Sequence, residues 1–356
     1  MGYGPIMTDL TALSRHPDLL RRAAITLAAL AVYWVGCWIP LPGIDIAPLI
    51  GPTPTHNTAV TRLSTMALGM TPVLSAFMLL EVLMIAFPSF RRWTAEPVRR
   101  QTLNTWATVV ALLLAALQAT GIANALEQLP GLVPNPGPSF LAGVVVTLVA
   151  ATALLTWLSS VITQHGIGHG FWLLVALPYA GSFVATMMTQ ASLWGTASLL
   201  SIAVSVGFLA LAIAVLAWLV KTSPPLASTE ELPWAPVLGF AAAGWLLLVP
   251  VFILSLLGAS GTELDAIYTG PALVLLPIIT VPLLLILRRR SFDTTSSLAA
   301  PLALAALVAI GTALAYLPAQ PLFPNPAIVL TLAAAGLLVA LGVSERFRSA
   351  AAEPLP

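Results

Sequence analysis

The chain has 356 residues, of which 59% are apolar and only 8% are charged, and its formal net charge is +1. So apolar a composition excludes an ordinary soluble domain, and the near-zero charge gives no indication of a nucleic-acid partner. The single cysteine, Cys37, excludes a disulfide within the chain.

Apolar stretches long enough to cross a bilayer follow one another along the chain. A spanning helix needs about 20 mostly apolar residues, and long continuous stretches favour helices over the alternating strands of a β-barrel. The sequence therefore predicts an all-α polytopic membrane protein with ten transmembrane helices. They are Ala23–Leu41, Met70–Pro88, Leu103–Leu126, Phe140–Ile162, Gly170–Thr189, Ala197–Val220, Val237–Leu257, Pro271–Leu287, Leu298–Leu317 and Ala327–Val343.

Basic residues occupy every second connection between these helices. All but one of the 14 Lys and Arg residues precede the first predicted helix or follow the second, sixth, eighth or tenth, and the exception is Arg62. Lys and Arg are enriched on the cytoplasmic side of membrane proteins. The pattern therefore predicts an even number of spans and two cytoplasmic termini, with polar, frayed tails at Met1–Asp18 and Glu345–Pro356.

The stretch Ile44–Ala67, between the first and second predicted helices, fits neither a span nor a tight turn. It is too polar to cross a bilayer, since it contains Asp45, His56 and Arg62, and it is too long for a turn. Irregular backbone at membrane depth is tolerated only where it is buried in protein or lines a watery cavity. The stretch is therefore either a re-entrant segment of a pore or an external loop on the surface.

Four stretches at the edges of predicted helices carry recognisable motifs. They are Arg21–Tyr33 with Ile39–Asp45, Ala67–Ala76, Arg99–Asn104 with Gly121–Ala123, and Ile162–Gly170. In this order they resemble the SecY family, the central subunit of the protein-conducting Sec translocon. The resemblance covers about Arg21 to Gly181, and beyond it only helix number, order and orientation agree with the family.

This resemblance implies two halves of five helices, related by an inverted repeat around a central path. The expected divisions are an N-terminal tail (1–20), an N-terminal half (21–190), a C-terminal half (191–344) and a C-terminal tail (345–356). Residues of about 44–67 would form the family's plug, which closes the outer funnel. The plug and hinge positions implied are Pro42, Gly43, Asp45, Arg62 and Gly69.

The family also has a ring of apolar side chains at the narrowest point of the path, which blocks ions but yields to a passing chain. The resemblance places five residues in it: Leu74, Met78, Val175, Tyr179 and Trp245. Tyr179 and Trp245 are bulkier than the aliphatic residues usual there and would narrow the path, which the flexible Met78 would partly offset. The alternative for all five is ordinary helix packing.

Glycines and histidines meet where the fourth predicted helix leads into the fifth. Gly166, Gly168 and Gly170 predict a sharp, tightly packed turn, whereas a phosphate-binding loop is a poor interpretation because no strand precedes them. His165 and His169 would share a helix face only if the intervening backbone were helical. The glycines argue against that, so no metal site is predicted.

Glu81 lies in the middle of the second predicted helix, where an ionisable residue indicates function by default. It is the candidate polar residue of the seam between the halves, facing either the central cavity or the lateral opening. The alternative is a protonated carboxyl group that is hydrogen-bonded within the helix bundle.

The connections that dock a ribosome or a motor ATPase in the family are short here. Lys221–Leu232 and Arg288–Ser297 cannot project far, because an extended chain gains only about 3.3–3.6 Å per residue. This argues against such docking. Arg288–Arg290 is best interpreted as a topology anchor beside anionic lipid rather than as a site for an acidic partner. The resemblance implies a separate small SecE-like helical subunit.

The leading hypothesis is a multi-pass channel subunit of the inner (plasma) membrane that translocates or inserts unfolded polypeptide. It needs no cofactor, and since no nucleotide-binding motif is present its energy must come from another protein. One alternative is a non-conducting relative that serves as an insertion chaperone or assembly partner. Another is a small-solute secondary transporter, although few charges besides Glu81 lie in the spans. An enzyme is not expected.

Overall fold

The computed structural model describes residues 17–45, 63–94, 96–129, 131–192, 196–222, 278–280, 283, 299–315 and 326–352. Over these ranges the regular structure is helical, apart from one isolated β-bridge. The helices are α1 (Pro17–Gly36), α2 (Thr71–Ala86), α3 (Pro88–Thr94), α4 (Pro97–Glu127), α5 (Pro138–His165), α6 (Gly170–Ser192), α7 (Thr196–Thr222), α8 (Ala299–Ala315) and α9 (Pro326–Ala352). The predicted helix Val237–Leu257 lies outside the described residues.

Four helices of the described ranges are long and apolar enough to cross a membrane. Their spanning parts are Thr102–Glu127, Pro138–His165, Gly170–Thr189 and Leu199–Leu219. Shorter apolar helices accompany them at Thr71–Leu80, Leu302–Gly311 and Ile328–Leu341. The all-helical architecture with apolar spans is therefore confirmed for this part of the chain, and the number ten stays a prediction.

The ends of α1 and α9 differ from their predicted positions. α1 begins at Pro17 and ends at Gly36, about one turn before the predicted end at Leu41. Its first turn is stabilised by Arg22, whose Nε lies 2.9 Å from Asp18 Oδ2. α9 continues to Ala352, so most of the predicted frayed C-terminal tail is helical. Hydropathy misses polar end turns such as those of α9, and it counts as helix the apolar residues that follow α1.

The first compact unit comprises Met1–Ala76, Thr105–Val175 and Leu338–Pro356. Within it α1 packs against α5. A line of alanines spaced four apart on α4 is 0–4% exposed and consists of Ala107, Ala111, Ala115, Ala119 and Ala123. Val144 and Leu148 of α5 form one buried cluster with Ala115, Ala119 and Ala123. In a bilayer the hydrophobic effect does not drive helices together, so they associate through close packing. Small side chains such as alanine allow the helix backbones to approach each other closely.

The second compact unit comprises Phe77–Asn104 and Ala176–Leu337. In it α7 packs against α8. The buried side chains of these two helices include Phe208, Leu216, Leu219, Leu304 and Val308. The buried Ser205 hydroxyl donates to the Ser201 carbonyl at 2.8 Å, so its polar atom is paired inside an apolar helix.

Candidate functional site

The joint between α1 and α2 contains both described ends of the predicted plug. After α1 the chain is extended at Pro40, and the returning chain forms an antiparallel bridge to it at Ser64. The Leu41 N–H donates to the Leu63 carbonyl at 2.9 Å. The two ends are therefore held side by side, while residues 46–62 lie outside the described ranges.

Thr65 fastens the returning chain to the end of α1. Its N–H donates to the Ile39 carbonyl at 2.8 Å, and its Oγ1 donates to the Gly36 carbonyl at 2.9 Å. Gly36 is the last residue of α1, where carbonyl groups have no partner within the helix. Thr65 therefore satisfies a helix end and positions the segment that leads into α2.

The predicted hinge residues of the outgoing chain lie against the connection between α4 and α5. The Asp45 N–H donates to the Leu132 carbonyl at 2.9 Å. Gly43 has φ of +80°, and a Cβ added to it would lie 2.9 Å from Phe140 Cδ2. Glycine is thus required both for the backbone and for the space. An open pocket of about 500 Å³ lies here, lined in part by Pro42, Gly43 and Asp45.

The structure describes the other three predicted positions, Gly69, Glu81 and Arg62, to different extents. Gly69 has φ of +52°, and its N–H donates to the Met66 carbonyl at 2.9 Å in the turn before α2. Glu81 belongs to α2, but its side chain is not among the described ones. Arg62 lies outside the described residues. The roles of Glu81 and Arg62 stay predictions.

α2 and α6 each carry two of the predicted ring residues, four positions apart and hence on one face of the helix. Met78 and Val175 are 8% and 6% exposed, while Leu74 and Tyr179 are half-buried. Leu74 and Val175 belong to the first compact unit, and Met78 and Tyr179 to the second. Trp245 lies outside the described residues. The ring itself stays a prediction.

The glycines between α5 and α6 each meet a different neighbour. A Cβ at Gly166 would lie 2.5 Å from Thr26 Oγ1 of α1. Gly168 has φ of +79°, and its Cβ would lie 3.1 Å from Val339 Cγ2 of α9. A Cβ at Gly170 would overlap the backbone of α5. The junction is therefore a crowded point at which α1, α5, α6 and α9 meet within the first compact unit.

The two histidines at this junction do not share a helix face. α5 ends at His165 and α6 begins at Gly170, so the backbone between the histidines is not helical. His165 is exposed, whereas His169 is half-buried and packs edge-to-face on Phe171 with 6.5 Å between ring centroids. Within the described ranges no three His, Cys, Asp or Glu residues come together as metal ligands would.

Thr26 of α1 connects the junction to the rest of the first unit. Its Oγ1 accepts the Ile167 N–H at 2.9 Å and donates to the Arg22 carbonyl at 3.0 Å. One turn earlier, Arg22 Nη1 donates to the Gln164 carbonyl at 3.4 Å, at the end of α5. Thr26 is only 9% exposed, so water has little access to this contact.

Replacing Thr26 with valine should remove the acceptor of the Ile167 N–H while keeping the size of the side chain. A buried donor left without a partner costs about 1–3 kcal/mol, and we expect the free energy of unfolding to fall by that amount. It can be measured by titrating a denaturing detergent into protein held in mild micelles. Thr120→Val is the control, because the Thr120 hydroxyl donates to the Ala116 carbonyl of its own helix. Equal losses in both variants would contradict the role of Thr26.

Sequence reasoning missed the bond that closes the connection between α4 and α5. Glu127 Oε1 accepts the Gly137 N–H at 2.7 Å. Glu127 is the last residue of α4, where its negative charge interacts unfavourably with the negative end of the helix dipole. This unfavourable position is the sequence feature that could have indicated a hydrogen-bond partner for the carboxylate outside the helix. The bond closes the loop that contains Leu132, whose carbonyl accepts the Asp45 N–H.

Comparison with known proteins gives sequence matches to the SecY family. The family model of SecY matches residues 64–223 of the chain. The protein translocase subunit SecY of Escherichia coli strain K12 is 33% identical in an alignment 174 residues long, which covers 44% of this chain and 39% of that protein. The chain therefore matches less than half the length of this curated relative.

Solved structures of protein-conducting channels are similar over nearly the whole chain. A structure concerned with the plug domain of SecY gives a TM-score of 0.58 at 11% identity, with 94% of this chain and 95% of that chain covered. Sec61 in the canine ribosome–channel complex gives a TM-score of 0.53 at 12% identity, with the same coverage. At these identities the likeness establishes the fold.

Proposed function

We propose that this chain, as a member of the SecY family, is a channel subunit through which unfolded polypeptide crosses or enters a membrane. The joint between α1 and α2 is the observation that carries the proposal. An extended, hydrogen-bonded segment between two apolar helices fits a re-entrant element, because such backbone survives at membrane depth only when its polar groups are paired. A bundle made only of spanning helices does not require a re-entrant element.

The proposal includes the finer architecture that the sequence predicts. Ten helices form two inverted halves, both termini are cytoplasmic, and residues of about 44–67 form a plug in the inner (plasma) membrane. Leu74 and Val175 contribute to an apolar ring, together with Met78, Tyr179 and Trp245. Such a ring excludes ions because water leaves a narrow apolar passage, yet it parts for a polypeptide.

The work of this channel would be gating rather than chemistry. The plug would move away from its closed position while the ends at Leu41 and Leu63 stay paired, since their hydrogen bond anchors it to the first compact unit. A small SecE-like subunit would join the halves, and a separate protein would supply energy. The short connections Lys221–Leu232 and Arg288–Ser297 argue against a ribosome or a large ATPase docking as in longer relatives.

Crosslinking of a stalled substrate tests this function. A photoreactive amino acid at position 74 or 175 should form crosslinks to a secretory polypeptide arrested during export. Position 113 is the control, because Leu113 is 65% exposed on α4 and should meet lipid. Crosslinks no stronger at 74 and 175 than at 113 would contradict the channel. Crosslinks to membrane-protein substrates alone would favour the non-conducting insertion chaperone.

A further inference from the structure

The loop between α4 and α5 contacts the short chain segment that leaves α1. We call residues 131–137 the outer loop and residues 41–45 the outgoing stem. The Asp45 N–H, at the end of the stem, donates to the Leu132 carbonyl of the loop at 2.9 Å. Since that carbonyl belongs to a loop, the position of the end of the stem depends on whatever fixes the loop.

Apolar packing joins the same two segments. Leu41 of the stem and Leu132 of the loop are 2% and 4% exposed and belong to one buried cluster. The partly buried Ile44 and Val133 pack against this cluster. Closely packed side chains transmit displacement to their neighbours. A change in the outer loop should therefore reach the outgoing stem.

Glu127 closes the outer loop at its base. It is the last residue of α4, and its Oε1 accepts the Gly137 N–H at 2.7 Å, ten positions further along the chain. Gly137 is the N-cap of α5 and has no side chain with which to stabilise the turn. A hydrogen bond to a carboxylate is roughly twice as strong as one between neutral groups. The carboxylate of Glu127 therefore ties the two ends of the loop together.

The contact between the stem and the loop borders open space. The pocket of about 500 Å³ described above is lined by Pro42 and Asp45 of the stem and by Pro134 and Asn135 of the loop. Parts of a fold that have few buried contacts open at a lower free energy than the core does. The Asp45 end of the stem is therefore expected to separate from the loop more readily than α4 separates from α5.

We propose that the outer loop is a latch for the outgoing stem, and that Glu127 is the positioning residue that keeps this latch closed. The inference rests on the proposed function, because the stem leads into the predicted plug. With the loop closed, the Leu132 carbonyl holds the Asp45 end of the stem in place. Loss of the bond to Glu127 loosens the loop and releases that end, while Leu41 stays paired with Leu63. The closed position of the plug then becomes less favourable.

Hydrogen exchange of the whole protein in mild micelles, resolved to single amides by mass spectrometry, tests the latch. E127A removes the acceptor and should speed exchange of the Gly137 and Asp45 amides about tenfold. E127Q keeps an oxygen acceptor without the charge, so the increase should stay below about threefold. Q128A is the matched control, because it removes the neighbouring exposed polar side chain and should change both rates by less than about twofold.

Faster exchange of the Asp45 amide in E127A, largely restored in E127Q, supports the latch. A faster Gly137 amide beside an unchanged Asp45 amide would show that the loop and the stem are independent, and it would overturn the proposal. Equal acceleration at Leu148, in the buried middle of α5, would show general loosening and also overturn it. Equal effects of E127Q and E127A would assign the change to charge rather than to the hydrogen bond, with the same consequence.

Ion conductance of the protein in planar bilayers separates this inference from the proposed function. Deletion of residues 46–62 should produce a leak if the chain is a plugged channel. E127A should then raise the resting conductance up to about tenfold, because the closed state loses the same free energy as in the exchange experiment. A leak after the deletion but none in E127A would overturn the latch and leave the channel standing. No leak after the deletion would contradict the channel, and the exchange rates alone would then decide whether Glu127 holds the stem.

Discussion

Replacing Gly170 with alanine should lower the free energy of unfolding by about 3 kcal/mol or more. Gly170 begins α6 where that helix crosses α5, and an added Cβ would overlap the Ser159 carbonyl and lie 2.9 Å from Ile162 Cβ. Backbone cannot rotate away as a flexible side chain can. Relief would require α6 to move, which would break the bond between the Gly170 N–H and Thr163 Oγ1 at 2.9 Å.

Gly181→Ala in the same helix is the control for this effect. Gly181 is exposed, and an added Cβ would meet nothing within 4 Å. Alanine has the higher helix propensity, so this variant should be neutral or more stable by up to about 1 kcal/mol. Unfolding of both variants in mild micelles, followed by circular dichroism, gives the comparison. Similar midpoints for G170A and G181A would show that the crossing tolerates a methyl group.

Gly43→Ala should destabilise the joint between α1 and α2 by about 2–5 kcal/mol, as the sum of two costs. The first is backbone strain, because Gly43 has φ of +80°. The second is overpacking, because the new Cβ would lie 2.9 Å from the Phe140 ring, which is itself only 6% exposed. Under the proposed function the same variant should also loosen the anchored end of the plug.

Gly131 separates these two costs. Its φ of +77° is nearly the same as that of Gly43, but a Cβ there would meet nothing within 4 Å. Gly131→Ala should therefore carry only the strain, about 1–2 kcal/mol. A double variant with Phe140→Leu should recover part of the extra loss in G43A, with a coupling of about 0.5–3 kcal/mol. No difference between G43A and G131A would refute the contact with Phe140.

Much of the helical architecture follows from hydropathy and from proline and glycine positions. The fourth predicted helix, Phe140–Ile162, lies inside α5 with only a few residues added at each end. α3 escaped prediction because seven residues are too few to show a period. The end of α1 was misplaced because Trp38–Leu41 is as apolar as the helix before it, although its backbone is no longer helical.

The site is harder to predict than the helices because its contacts join distant parts of the chain. The glycines at 166, 168 and 170 indicated a tight turn, but nothing local to them points to Thr26, whose partner Ile167 is 141 positions away. The pairing of Leu41 with Leu63 likewise needs backbone geometry that residue types do not encode. The pore ring rests on resemblance alone, since apolar side chains on one helix face fit a pore and a core equally well.

The bridge between Pro40 and Ser64 fixes where the chain leaves the end of α1 and where it returns before α2. Because these two positions are held against each other, the number of residues between them can change without displacing α1 or α2. Doubling the length of a chain that joins two fixed points costs only about 0.6 kcal/mol in closure entropy. Evolution could therefore alter the sequence between these two positions while the helices around it stay in place.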